Sequence, residues 1–287
     1  MKRLFLLGFC ISVILIALPV YAAKNEQKEL TFFCGSAVKV PMDEIIAKYQ
    51  KEKGVKVSVI YSGSGGLLSQ MELSKRGDLY LAGSPDYIAI GERKNLLIKG
   101  TDRLVAYLVP AIIVPKGNPK NIHTLEDLTN KGVRIGIGNP ETVCLGLYGI
   151  ELLKANNLLK DVMPNVAVFA KSCEDTAMLA VLNKVDAILG WDVFASWNPE
   201  EVEWIKIDKN RIPRLAYIPI ALSVYVKDKA LANDFIEYVL SPEGMAIFKK
   251  WGYYTDLDEA KKFAPYATVG GEYKLPEDYF ELINNER

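Results

Sequence analysis

Two hydrophobic periods alternate along the chain. Leu30-Thr31-Phe32-Phe33-Cys34 is an apolar run of the length of a buried strand. Behind Pro41, whose fixed φ suits a first helical turn, Met42, Ile45, Ile46 and Tyr49 recur at helical spacing until Lys53-Gly54 ends the helix. Val55 to Tyr61 alternates as a strand does; Ser62-Gly63-Ser64-Gly65-Gly66 reads as a loop, Leu67 to Lys75 as a helix, and Asp78 to Ala82 as another short strand. The same order returns later. Val133 to Gly138, Val166 to Ala170 and Val185 to Gly190 predict strands, Thr142 to Asn156 and Ser172 to Asn183 predict helices, and Ser172 with Asp175 fits a capping box. Alternation of this kind argues for sheets of mainly parallel strands covered by helices.

Two extended apolar stretches, Leu104 to Pro115 and Ala216 to Val226, flank the second unit. They suit a chain that crosses from a first lobe to a second and back, with helices from Ala230 to Leu240 and Pro242 to Trp251 completing the first. The expected division is 24–107 and 217–287 for lobe one and 108–216 for lobe two. No internal repeat, low-complexity tract or Pro/Ser-rich linker interrupts it.

Ahead of this body, Lys2-Arg3, an apolar run from Leu4 to Val20 and Tyr21-Ala22-Ala23 make a charged region, a hydrophobic region and a small-residue cleavage site. That is the pattern of a secretory signal over residues 1–23, and it places the protein outside the cytoplasm, in the periplasm. The run is interrupted by Gly8 and Pro19 and is short beside the roughly 20 residues of a spanning helix. The full chain carries 35 basic and 35 acidic residues, so losing Lys2 and Arg3 leaves it slightly acidic. No basic footprint for nucleic acid exists.

The candidate chemistry lies where strands run into helices. Four loops rich in small or hydroxyl residues do so: Cys34-Gly35-Ser36-Ala37, Ser62 to Gly66, Pro140 to Gly146, and Ser172 to Thr176. A helix N-terminus offers unpaired N–H donors and partial positive charge, and so holds an anion without Lys or Arg. In open α/β folds ligands sit beyond the carboxyl ends of strands. Taken singly, each loop is also an ordinary capping or turn sequence. The glycine loop is neither a Walker nor a dinucleotide sequence. Catalysis has little support: the one histidine, His123, lies in a polar stretch that reads as a solvated loop, and a nucleophile–base pair would have to centre on it.

Cys34-Gly35-Ser36-Ala37, Ala47 to Val57, the Ser/Gly loop, Gly77 to Leu81, Gly138 to Tyr148 and Leu240 to Phe248, in that order and spacing, resemble the periplasmic molybdate/tungstate-binding proteins of ABC transporters. The resemblance covers roughly Leu30 to Gly252. It implies an α/β, two-lobed periplasmic binding protein fold of type II, each lobe a mixed sheet flanked by helices, with a tetrahedral oxyanion in the cleft. It also implies a monomer that hands its cargo to the membrane permease of an ABC importer, with no cofactor and no enzymatic activity. By position, Ser36 and Ser64 match two liganding serines, Leu145 and Thr176 match residues that offer backbone N–H groups, and Trp191 falls where many relatives carry a tyrosine that donates to the anion. Some relatives add carboxylates around the metal atom of the oxyanion, a role open to Asp192 or Glu174.

After the signal three cysteines remain, Cys34, Cys144 and Cys173, each in a proposed ligand loop. Three readings stand. They are small buried hydrophobes; or two of them, Cys144 and Cys173, form a disulfide in an oxidising compartment; or they make a soft-ligand site for a thiophilic metal or metalloid. An exported enzyme on the same fold is the reading from another class.

Overall fold

A computed structural model describes residues 27–285, so the expected signal sequence lies outside the described residues. The chain runs β1 (Glu29–Gly35), α1 (Lys39–Lys53), β2 (Lys56–Ser62), α2 (Ser64–Ser74), β3 (Leu79–Leu81), α3 (Asp86–Arg93), β4 (Arg103–Leu108) and β5 (Pro110–Pro115). It continues through β6 (Ile135–Gly138), α4 (Cys144–Ala155), α5 (Leu159–Val162), β7 (Val166–Ala170), α6 (Cys173–Val181), β8 (Ala187–Trp191), α7 (Phe194–Trp197) and β9 (Val202–Ile205). It ends with β10 (Arg214–Leu222), α8 (Lys229–Val239), α9 (Pro242–Lys250), α10 (Leu257–Lys261), β11 (Thr268–Val269) and α11 (Glu277–Asn285).

The strands form two mixed sheets. In the first, β1 lies parallel between β2 and β3, and β10 joins antiparallel to β3 and β4. In the second, β6 lies parallel between β7 and β8, and β5 pairs antiparallel with both β8 and β9. This is the two-lobed α/β architecture of type II binding proteins. The first crossing is a single residue: β4 ends at Leu108 in one sheet and β5 begins at Pro110 in the other. The return passes between Ile205 and Arg214.

The α1 helix shows how the local pattern makes the layer. Its buried stripe is Pro41, Met42, Ile45, Ile46 and Tyr49, and Gly54 ends it in the left-handed conformation at φ 66°. Each of the two isoleucines gains about 1.5–3 kcal/mol by leaving water. Phe235 of α8 stands edge-on to both Phe32 of β1 and Tyr49 of α1, with centroids 5.6 and 4.9 Å away, so the late helices return to the first sheet.

The tail serves both lobes. The sequence-based division gives 217–287 to lobe one, and β11 does pair with β10 through Arg214–Thr268 and Leu215–Val269. Yet Ala260, Ala264, Ala267 and Tyr279 are buried in the core built on Ile112, Ile137 and Leu153 of the second sheet and its helix. Lys154 of α4 also meets Asp278 at 2.5 Å. The apolar side chains of the tail find their burial there because α8 and α9 already cover the first lobe's outer face.

Candidate functional site

Nine of the residues singled out from the sequence are buried, from 0 % exposure at Cys34, Thr176 and Trp191 to 6 % at Asp192, and Glu174 is half-buried. The loops at the strand ends meet across the lobe boundary. Glu174, in the first turn of α6, donates its backbone N–H to Ser36 Oγ at 3.2 Å. Gly65, in the first turn of α2, donates to the Thr142 carbonyl at 2.8 Å. The lobes are therefore closed on each other.

Closure depends on two glycines. A Cβ on Gly63 would stand 2.7 Å from the Lys171 carbonyl and 3.0 Å from that of Thr142. A Cβ on Gly83 would collide with Cys144 Sγ. Gly83 also donates its N–H to Ser64 Oγ at 3.1 Å, inside lobe one.

The two serines thus share an arrangement. Each hydroxyl oxygen accepts a backbone N–H, from Glu174 and Gly83 respectively. A hydroxyl has one proton and two lone pairs, so an oxygen already accepting from the backbone keeps its own O–H to donate. Tyr80 Oη supports Ser64 by donating to its carbonyl at 2.9 Å. Tyr253 Oη donates to the Ala37 carbonyl beneath Ser36.

Lobe two supplies different groups. The N-cap of α4 is Val143, which gives no side-chain cap. The sulfurs of Cys144 and Cys173 lie 4.0 Å apart, and both cysteines are free. The Cys173 thiol is pushed well above its usual range, first by its hydrogen bond with Cys144 and then by burial. The Trp191 indole N–H and the Leu145 backbone N–H act on the same sulfur in the opposite sense. Trp191 Nε1 meets no partner of full hydrogen-bond geometry, so its contact with the sulfur is electrostatic rather than a formed bond. Tyr148 stands edge-on to Trp191 at 5.3 Å.

Several expected contacts change. Thr176 is committed within its own helix: its N–H and its Oγ1 both donate to the Ser172 carbonyl, at 3.0 and 2.7 Å. Asp192 is not aimed at the cleft donors. It accepts from Tyr254 Oη at 2.6 Å and from the Val193 N–H at 2.9 Å, and its own N–H donates to Val109 at the first crossing. Burial lifts its carboxyl from 3.8 to about 7 against those hydrogen bonds. Cys34 does not join the thiol pair: its sulfur contacts the Gly35 carbonyl, and burial with the nearby Asp43 pushes it well up. Among the described residues no three of His, Cys, Asp and Glu are placed to hold one metal ion, which removes the three-cysteine metal site. The half-buried Glu174 carboxyl is raised by burial, partly offset by Lys39. His123 is exposed and pairs with Asn121 at 2.9 Å.

Sequence reasoning missed Arg214. Its guanidinium, 3 % exposed, holds Asp86 of α3 through Nη1 at 3.0 Å and Glu151 of α4 through Nε at 2.7 Å, and lies 3.9 Å over the Tyr148 ring. It ties the two walls together beside the thiol pair. A cavity of about 610 Å³ lies elsewhere, against the two crossings, lined by Val109, Trp204, Lys206 and Phe263, and none of the ligand-loop residues reaches it.

Comparison with known proteins places the chain. The family described as bacterial extracellular solute-binding protein matches residues 30–254. The molybdate-binding protein of Escherichia coli strain K12 is 25% identical over 80% of this chain and 91% of its own. A sulfate-binding protein of Salmonella typhimurium is 28% identical over 76% of this chain and 75% of its own. The solved structure of the periplasmic molybdate-binding protein of Azotobacter vinelandii superposes with a TM-score of 0.69 at 15% identity, over 79% of this chain and 99% of that one. No helix among the described residues is long and apolar enough to cross a membrane.

Proposed function

The chain belongs to the bacterial extracellular solute-binding proteins, and on that premise we propose that it is exported through a cleaved signal over residues 1–23. In the periplasm it captures molybdate, tungstate or a similar small oxyanion in the cleft as a monomer, and hands it to the membrane permease of an ABC importer. Its work is binding, not catalysis. The observation that carries the reading is the pair of serine hydroxyls, Ser36 and Ser64, each fixed as a donor by a backbone N–H. With the uncapped first turn of α4 at Leu145 and the Trp191 indole they make a set of O–H and N–H donors, which suits an anion that accepts on every side.

In this reading binding is coupled to closure, because in the closed form Ser36 contacts the opposite lobe through Glu174. A ligand that bonds both walls stabilises the closed form by its differential affinity, and the importer reads that form. Calorimetry of the reduced, ligand-stripped protein against molybdate, tungstate, sulfate and phosphate tests the reading. We expect one-to-one binding of molybdate or tungstate, weakened about 100-fold or more in a Ser36→Ala, Ser64→Ala double variant, because each lost charge-assisted hydrogen bond costs about 1.5–3 kcal/mol. Absence of any oxyanion binding by the intact protein would falsify it.

A further inference from the structure

We propose that Cys144 and Cys173 form a two-coordinate site for a soft monovalent cation of the Cu(I)/Ag(I) class. The oxyanion reading uses neither thiol, so the proposal goes beyond it; the two share the Trp191 indole, which can serve only one ligand at a time.

The geometry comes first. The sulfurs are 4.0 Å apart and unbonded. That is far beyond the disulfide length of about 2.05 Å. It is within the span of two metal–sulfur bonds of about 2.3 Å each. One ion fits between them, and a small outward swing of either thiol straightens the S–metal–S angle. Cys144 is 1 % and Cys173 2 % exposed, so water is shut out.

The surroundings select the class of ion. The pair is walled by Tyr148, Trp191 and the backbone of Gly83, and no His, Asp or Glu joins it as a third ligand among the described residues. Zinc asks for four ligands and calcium for six or more oxygens. A thiolate pair in a dry pocket suits soft ions that accept low coordination.

The charge balances as well. Two thiols and one monovalent cation give a bis-thiolate metal unit of net charge −1 and release two protons to solvent, with no electron transferred. Trp191 Nε1 is fully buried and makes no hydrogen bond. A buried indole N–H without an acceptor is uncommon, and an anionic bis-thiolate supplies one.

The test is a titration of the reduced, exported chain carrying Cys34→Ser with silver nitrate in chloride-free buffer. It is followed by native mass spectrometry and by the ultraviolet sulfur-to-metal absorption. One ion per chain is expected. Cys144→Ser and Cys173→Ser should each weaken binding by more than the roughly 100-fold that loss of an outer partner costs, and Trp191→Phe by about 10–100-fold. The Ser36→Ala, Ser64→Ala variant should bind silver as the parent does, which separates this site from the oxyanion reading. X-ray absorption of the silver-loaded wild-type chain needs no folded variant and should give two sulfur neighbours alone. Oxygen or nitrogen in that shell, silver binding that survives Cys144→Ser, or a reduced pair that refuses the ion and only oxidises to a disulfide would each overturn the proposal.

Discussion

The two walls of the cleft meet the same space with different chemistry. Lobe one offers two hydroxyls, Ser36 and Ser64, each held by a backbone N–H. Lobe two offers an uncapped helix start, an unpartnered indole and two thiols. The hydroxyl wall is built of hard oxygen donors that suit an anion. The thiol wall mixes anion-holding N–H groups with soft sulfur. Both walls sit at corresponding places in their lobes, at strand ends that feed helices, so the backbone provides the position and the side chains decide the ligand.

The strongest way to break the comparison is to unfasten the walls. Arg214 of β10 holds Asp86 on the hydroxyl side and Glu151 on the thiol side, and all three are largely buried. Glu151 is pushed up by burial against the pull of Arg214. Removing the cation leaves two buried carboxylates uncompensated, and Arg214→Ala should cost about 3–5 kcal/mol in urea unfolding. If the variant unfolds at the wild-type midpoint with the wild-type slope, the bridge contributes nothing and the walls are held by apolar contact alone.

The next effect isolates the floor of the thiol wall. Asp192 follows Trp191 and titrates at about 7 in place of 3.8 because it is buried. A carboxyl whose folded value lies above its unfolded one favours the folded state at low pH. That contribution is complete below about pH 4 and is lost as pH rises through about 7. Between pH 5 and pH 8 it should take away about 2–3 kcal/mol. Asp192→Asn keeps an acceptor for Tyr254 and removes the titration. The difference in unfolding free energy between the two proteins should therefore shift by that amount across the range, since other groups cancel. A pH-independent difference would mean that Asp192 stays charged in the folded protein.

Much of the fold was legible because period decides it. The strand at Val166–Ala170 and the helix starting at Pro242 fall where the sequence places them. Ser172 caps α6 as its spacing with Asp175 predicts. What failed to show were contacts between residues far apart in the chain. Nothing local marks Gly83 as the place where Cys144 approaches, since Gly83-Ser84-Pro85 reads as an ordinary turn. Arg214 looks like one more basic residue until β10 carries it between Asp86 and Glu151. The strand at Val202–Ile205 is four residues long and half-buried, too short to carry a period. Three cysteines in three ligand loops suggested one site, but loop membership fixes neighbourhood and not distance, and only Cys144 and Cys173 come together.

The smallest effect sharpens the contrast at the helix starts. On the hydroxyl wall α2 begins after Gly63, with no side-chain cap, and on the thiol wall α4 begins after Val143, also uncapped. The α6 helix alone among the three carries a cap, Ser172 Oγ accepting the Asp175 N–H at 3.0 Å. The Glu174 N–H goes to Ser36 Oγ, and Thr176 makes the first helical bond, to the Ser172 carbonyl. The start of α6 is therefore the most nearly finished and the uncapped start of α4 the most open, with α2 between them because Gly65 already donates to the Thr142 carbonyl. Ser172→Ala should cost about 1 kcal/mol of stability, the usual worth of a cap. It should leave oxyanion affinity within about threefold, since that change is worth under 1 kcal/mol. A loss of affinity much larger than that, at the same small loss of stability, would show that the start of α6 takes part in binding and that the division between open and finished helices is wrong.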